Sequence, residues 1–416
     1  MKWIEIDGRE YLLGSMKLEL EDLDLIAWLS HQSLYPKVFW KEKDGLTTRA
    51  ALGNLIAFPH LPKLSDGHDV RLYGGMRFAK RHGYDETWRG FPQECFWLPQ
   101  IEVTQEREKT HAIFYYLDDD TPLPVHFQEG DLPPVSFSIL DRQDNPDFHS
   151  WNTKVEHILQ KIESGTIGKL VLARKTSLQF SHSLSPWPLM KHLRDNSQKA
   201  TLFAFQLAPD LCFFGATPEK LFSREGNALN TDAVASTRPR GETQEEDRRL
   251  EEELLSNPKE KREFAFVKEF LETNLRPFSE EISWDGADRI LKGSHVQHIH
   301  NRLNAKLKAH VTDSDLIRTL HPTPALGGYP QKTSLSLLKE TESFDRGWYG
   351  APVGVISPRR SSFYVAIHSA LMRERTLHLF SGTGLVQGST PQREWEELEQ
   401  KIRSYTEMTC GNSCAK

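Results

Sequence analysis

The 416-residue chain has four cysteines, at 95, 212, 410 and 414, too few and too scattered for a disulfide framework. It has no excess of positive charge: 52 Lys and Arg face 58 Asp and Glu, for a net charge of −6. That balance excludes a non-specific nucleic-acid binder, which needs a basic surplus to neutralise phosphates. No stretch of about 18 uncharged apolar residues occurs, so no membrane span is expected. The first residues, Met1-Lys-Trp-Ile-Glu-Ile-Asp7, place acids where a secretory leader would be apolar, so a cytoplasmic protein is expected. No internal repeat and no long charged tail is present. No Walker-type phosphate loop occurs, and Gly382, Gly384 and Gly388 are spaced G-x-G-x-x-x-G, which is not a dinucleotide fingerprint.

What is present is material for a core: 38% hydrophobic residues, with ten Trp and 22 Phe. At roughly 150 residues per domain the length allows two to three domains or one large two-layer unit. Cys95 and Cys212 lie among aromatic residues and read as packed thiols. Cys410 and Cys414, in a small polar tail, offer only two ligands to a metal, and no role is assigned to them. Strands are expected over 72–78 and 96–103, with loops around 118–120 and 128–134. From about residue 150 the pattern sharpens. Trp151, Val155, Ile158, Leu159 and Ile162 share one helical face, and the helix ends at Gly165. Lys169–Thr176 reads as a strand, 202–207 and 211–215 as a hairpin, and 242–275 as two helices broken near Asn257-Pro258. A strand pair is expected over 362–372 and 376–381, and a helix from Pro391 to about Glu407. This order points to an α/β (α+β) chain with mainly antiparallel sheet.

Several segments could carry chemistry. Over Ser381–Lys401 a strand is expected to enter a Gly-Thr-Gly turn, where backbone amides could approach an anion. Ser389 or Thr390 would then cap a helix with Pro391 at its first position. On that helix Glu394 and Glu397 share a face, with Lys401 one turn on. They could bind Mg²⁺ if an anionic ligand completed the shell, or form a solvated acidic face. His295, His298 and His300 could supply a zinc site or be ordinary hydrogen-bonded imidazoles. Lys169 could be a solvated strand-end charge or a desolvated base. Glu219 could be an acid at a helix start or a functional carboxyl. The arginines of Thr237–Gly241 could fork onto a substrate carboxylate or pair with the acids of 242–253. None of these is decisive alone.

Their order is. Lys169–Arg174, Phe214–Glu219, Ala235–Gly241, Lys261–Glu263, Val296–His298, His321–Gly328, Tyr349–Ala351, Val365–Ala370 and Gly382–Lys401 together resemble the chorismate-utilising enzymes. That family includes anthranilate, aminodeoxychorismate, salicylate and isochorismate synthases. The resemblance covers roughly 150–405 and implies a large single unit of stacked, mainly antiparallel sheets flanked by helices. Residues 1–149 would complete the fold, 150–405 would form the chorismate-binding catalytic region, and 406–416 would be a tail. The resemblance further implies Glu263, Glu394 and Glu397 at an Mg²⁺ site. Tyr349, Lys401, Gly382 and Gly384 would bind the substrate's carboxylates, and His298 would lie near the leaving group. No glutamine amidotransferase subunit is expected, and a monomer is.

The branch follows from the nucleophile. Family members that add ammonia usually lack a lysine at position 169, and aminodeoxychorismate synthases often carry a nucleophilic lysine where this chain has Ala235. Water is therefore the expected nucleophile, with Lys169 as base and Glu219 as acid. Ala325 stands where salicylate synthases tend to have Thr. The resemblance thus points to isochorismate synthase. Salicylate synthase, or a non-catalytic chorismate-binding descendant, would be the alternative. Menaquinone and siderophore synthesis both begin with this reaction. One departure stands out: the family's Val-Ala-Ile-Arg-Ser-Ala is Val-Ala-Ile-His368-Ser-Ala here. Imidazole cannot make the bidentate fork. Reduced chorismate affinity and a sharper pH dependence are expected, unless a neighbour such as Arg360 compensates.

Overall fold

The computed structural model describes residues 1–409 except 44–45, 66–69, 80–84, 108, 118–124, 134–137, 198 and 294–295. His295, Cys410, Cys414 and most of the loop expected at 118–120 and its neighbours lie outside the described residues. Among the described residues, two large sheets carry the fold, one of 13 strands and one of 10. Adjacent strands run antiparallel, as in Lys169–Phe180 against Thr376–Leu385 in the larger sheet and Ala228–Pro239 against Val296–Leu307 in the smaller. Both sheets draw on strands from the first 149 residues and from the rest. The larger places Lys37–Lys41 beside Thr201–Ala208, and the smaller places Leu72–Met76 beside Pro352–Ile356.

The aromatic residues explain the layering. Trp40, Trp88, Trp97, Phe203, Phe205, Phe213, Trp348 and Phe380 form one buried cluster with contributions from both sheets. Such rings bury large apolar areas and favour edge and offset contacts, as in Trp348 against Phe91 at 5.2 Å. A second cluster packs the helices Gln244–Ser256, Pro258–Leu275 and Asp313–Leu320 on the smaller sheet. A third seats Phe148–Glu163 and Pro391–Thr409 on the larger, through Trp151, Val155, Ile158 and Leu398.

Several expectations hold. The hairpin is Thr201–Ala208 and Leu211–Thr217, and the two acidic helices break at Asn257, which caps the second through its side-chain oxygen, with Pro258 at the first position. Cys95 and Cys212 are buried thiols, and burial pushes the Cys95 thiol up to about 11. Three expectations need correction. The stretch 96–103 is two strands, Glu94–Leu98 and Ile101–Glu106, in different sheets, because Pro99-Gln100 redirects the chain. The stretch 362–372 is likewise two, Arg360–Val365 in the smaller sheet and Ser369–Arg373 in the larger. His368 sits at that crossover with φ +46°, in the left-handed region that non-glycine residues seldom adopt. Finally, Gly382-Thr383-Gly384 is not a turn: the strand runs through to Leu385, with Gly382 opposite Ala173 and Gly384 opposite Val171.

Candidate active site

The crossovers between sheets converge on one small cavity of about 70 Å³. Its wall includes Lys169, Glu219, Glu263, His298, Ala325, Tyr349, His368, Gly382, Gly384, Glu397 and Lys401. Residues drawn from more than 200 positions of sequence thus face one space. Glu394 is not on that wall; it lies behind it, where Thr383 Oγ1 donates to Glu394 Oε2. Arg360, considered as a compensating cation for His368, is far from this cavity in contact terms: it is exposed and paired with Glu225.

Lys169 begins its strand and is 1% exposed. Its Nζ donates to Glu263 Oε1 at 2.8 Å. Glu263 projects from the helix Pro258–Leu275, and Ser236 Oγ donates to its other oxygen at 3.2 Å. Burial pushes the Glu263 carboxyl up, but Lys169 beside it outweighs that, and the net direction is down. Gly384 makes this contact possible. A Cβ there would lie 2.5 Å from Glu263 Oε1 and 2.8 Å from Lys169 Cε. Two more lysine–carboxylate pairs stand nearby: Lys401 with Glu397 at 2.7 Å, and Lys259 with Glu394 at 3.1 Å. Lys401 also donates to the Gly382 carbonyl at 2.8 Å. Burial and then the neighbouring Glu397 push the Glu394 carboxyl up, against the pull of Lys259.

Glu219 is held differently. It is 3% exposed and follows Leu211–Thr217, leading into the strand Lys220–Glu225 rather than a helix. No ion pair within salt-bridge distance holds it among the described residues; Thr323 Oγ1 donates to its Oε1 at 3.4 Å. Burial pushes its carboxyl up to about 8, opposed chiefly by the field of Lys169. The carboxyl is therefore protonated at neutral pH and can donate a proton, while the lysine across the cavity is already tied to an acid.

The imidazoles form a third wall. His298 lies 6.1 Å from His368, ring to ring, in an edge arrangement, and its Nδ1 is 3.2 Å from Thr237 Oγ1. Burial, and then His368 and Lys401, push His298 down to about 3. Burial and Lys401 push His368 down to about 4. Both rings are neutral at pH 7 and can only make single hydrogen bonds there. His300 points elsewhere: its Nε2 lies 3.2 Å from Asp232 Oδ1, and among the described residues it does not join His298 in a group that could hold a metal. Tyr349 stacks on Phe380 at 5.4 Å and reaches Gly382 with its hydroxyl. Burial pushes that phenol up, so it remains a neutral donor.

An outer cavity of about 480 Å³ adjoins the inner one, and His298, His368 and Lys401 line both. Ligand pockets ordinarily span roughly 300–1,000 Å³. The inner space is below that range, so a ring-sized ligand must use the shared boundary as well. Of the arginines in Thr237–Gly241, Arg240 lines the outer cavity and forks onto Asp247 at 2.7 and 2.9 Å, and Arg238 pairs with Glu260 at 2.8 Å. The expected pairing with the acids of 242–253 holds for Arg240, whereas Arg238 pairs with Glu260, beyond that range.

Among the described residues no three His, Cys, Asp or Glu side chains stand together as a ready metal shell. The donor chemistry nonetheless fits a hard divalent cation. Glu263 and Glu397 line the cavity, Glu394 stands behind it, and crowding of acids raises Glu394 and also Glu260, where burial acts first and Glu263 second. A cation sharing these oxygens with an anionic ligand would relieve that repulsion. Sequence reasoning did not single out Ser236, Thr323, Lys259 or Glu260. Glu260 was visible as the i−3 neighbour of Glu263 on one helix face. Ser236, at φ +61°, and Thr323 reach Glu263 and Glu219 through their hydroxyls across long sequence separations that leave no spacing signal.

Residues 58–409 match the sequence profile of the chorismate binding enzymes. The chain is 32% identical over 403 residues to isochorismate synthase MenF of Haemophilus influenzae, covering 94% of this chain and 90% of that protein. It is 33% identical over 353 residues to the salicylate biosynthesis isochorismate synthase of Pseudomonas aeruginosa, covering 81% and 74%. Among solved structures, MenF, the menaquinone-specific isochorismate synthase of Escherichia coli, superposes with a TM-score of 0.85 at 23% identity, covering 96% of this chain and 95% of that one. Anthranilate synthase component I of Streptococcus pneumoniae gives 0.68 at 20% identity, covering 90% and 91%. These two likenesses establish the fold.

Proposed function

The chain belongs to the chorismate-binding enzyme family, and within it we propose that it is an isochorismate synthase, an isomerase converting chorismate to isochorismate. The observation that carries the reading is the pairing of Lys169 and Glu219 on one cavity, one tied to a carboxylate and the other unpaired with its proton held to about pH 8. The relatives' printed activities favour the same reading.

In this mechanism Lys169 enters the step as the neutral amine, its ammonium proton already lost to solvent, and takes a proton from the water molecule that attacks C2 of the substrate ring. The ring double bonds shift, and the C4–O bond breaks. Glu219 gives its proton to the departing hydroxyl, which leaves as water. One water enters and one leaves, so the product is an isomer of the substrate. Ala325, Tyr349 and the neutral imidazoles of His298 and His368 shape the ring site, while Lys401 and Gly382 face the carboxylates. Mg²⁺ held by Glu263, Glu397 and Glu394 would offset the substrate's negative charge and compete with Lys169 for Glu263. Orienting water, ring and acid in a shared cavity supplies the remainder of the rate.

The test is product identification from chorismate with Mg²⁺, with Lys169→Ala and Glu219→Ala as controls. Isochorismate formed by the parent protein, and neither variant active, supports the reading. Salicylate with pyruvate as the main product would replace it with the lyase of the same family, and binding without turnover would replace it with a non-catalytic protein.

A further inference from the structure

We propose that the protein has a second binding site, for a small polyanion bearing carboxylate or phosphate groups, in an arginine-lined cavity between the two sheets. This cavity, of about 880 Å³, shares no lining residue with the inner or outer cavity of the active site among the described residues. It forms where the strand Thr47–Leu52 of the larger sheet faces Lys220–Glu225 and the hairpin Pro352–Val365 of the smaller. Its volume is that of a small-molecule pocket.

Charge is what sets the cavity apart. Among the described residues Arg49, Arg71, Arg224, Arg359 and Arg360 line it, against two acids, Glu42 and Glu225, in a chain whose net charge is −6. Acids fix three of the guanidinium groups in place: Glu102 holds Arg71 at 2.8 Å, Asp313 holds Arg224 at 2.6 Å, and Glu225 holds Arg360. A guanidinium has five N–H donors, and the printed partners of Arg224 and Arg360 engage only two on each, so donors remain on both. Arg49 goes further. Among the described residues its buried Nε has no hydrogen-bond partner. A buried donor on a charged group left unmatched costs stability that an incoming oxyanion would recover. The hydroxyls of Ser223, Ser357, Ser361 and Ser362 add neutral donors around the same space. Fixed forks, an unmatched buried donor and hydroxyls are the chemistry that recognises carboxylate or phosphate oxygens.

The test is calorimetric titration of the full-length protein at low salt with pyrophosphate and, separately, citrate. We expect saturable binding of at least one. Pyrophosphate alone would assign phosphate groups, citrate alone carboxylates. Arg49→Gln should weaken binding at least tenfold. Arg360→Glu, at an exposed position where folding is not at risk, should weaken it several-fold. Both should leave chorismate turnover unchanged, and Lys401→Gln, in the active site, should leave anion binding unchanged. Absence of binding by both anions, equal affinity in Arg360→Glu, or loss of binding in Lys401→Gln would each overturn the proposal.

Discussion

Two buried carboxylates of the inner cavity, Glu263 and Glu219, are held in chemically opposite ways. On one side two lysine–carboxylate pairs, Lys169–Glu263 and Lys401–Glu397, bring opposite charges together, with Lys259–Glu394 behind that wall. On the other, Glu219 has a threonine hydroxyl and no cation in contact. Burial alone disfavours a charge, and a partner restores it. The same side-chain type therefore holds charge on one side and holds a proton on the other. The lesson is that burial does not define a catalytic acid. Burial without a counter-charge does.

The largest expected effect comes from removing either end of the relay. Glu219→Gln and Lys169→Ala should each lower kcat by about 10²–10⁴-fold, measured by chromatographic separation of isochorismate from chorismate. A loss below tenfold in Glu219→Gln would break the comparison, since it would leave the proton on Glu219 without a use. Next is the paired side. Gly384→Ala sets a Cβ within 2.5 Å of Glu263 Oε1 and should disrupt the Lys169 pair, lowering kcat by about 10–100-fold. Glu397→Gln should raise the Mg²⁺ concentration needed for half-maximal rate by a similar factor, read from a metal titration after chelation.

A pH series sharpens the contrast further. Glu219 has a folded value of about 8 against an ordinary 4.5. Its contribution to stability is therefore complete below about pH 4.5 and is lost as pH rises through about 8. In Glu219→Gln that decline should vanish, so the melting temperature of the parent should fall relative to the variant between those limits. The rate should fall above about pH 8 for the same reason, as the acid loses its proton. The smallest effect is expected at the imidazole wall. His368→Arg restores a guanidinium fork and should lower KM for chorismate several-fold with little change in kcat and a flatter pH profile. An unchanged KM would reject the affinity argument.

Much of this site was legible in the chain. Lys169, Glu219, Glu263 and Lys401 sit in short segments whose order marks the family, and Glu394, Glu397 and Lys401 follow helical spacing. The crossover at Ala366–His368 was not legible, because an apolar run of 362–372 looks the same whether it stays in one sheet or passes between two. Nor was the continuation of the strand through Gly382 and Gly384, since glycines there read as a turn until the partner strand is known. Arg360 looked like a neighbour of His368 by number, but the strand Arg360–Val365 places it at the end away from the crossover.

The sequence by itself determined which groups are present: strand patterning, the helix that begins at Pro391, a lysine at 169 and a histidine at 368. Those are local properties, set by side-chain type and by spacing of two or of three to four residues. Only the tertiary structure decided which carboxylates are paired and which is alone, because a proton's affinity depends on burial and on charges contributed by strands and helices distant in sequence. Glu219 and Glu263 are the same residue type, and only their neighbours set them apart.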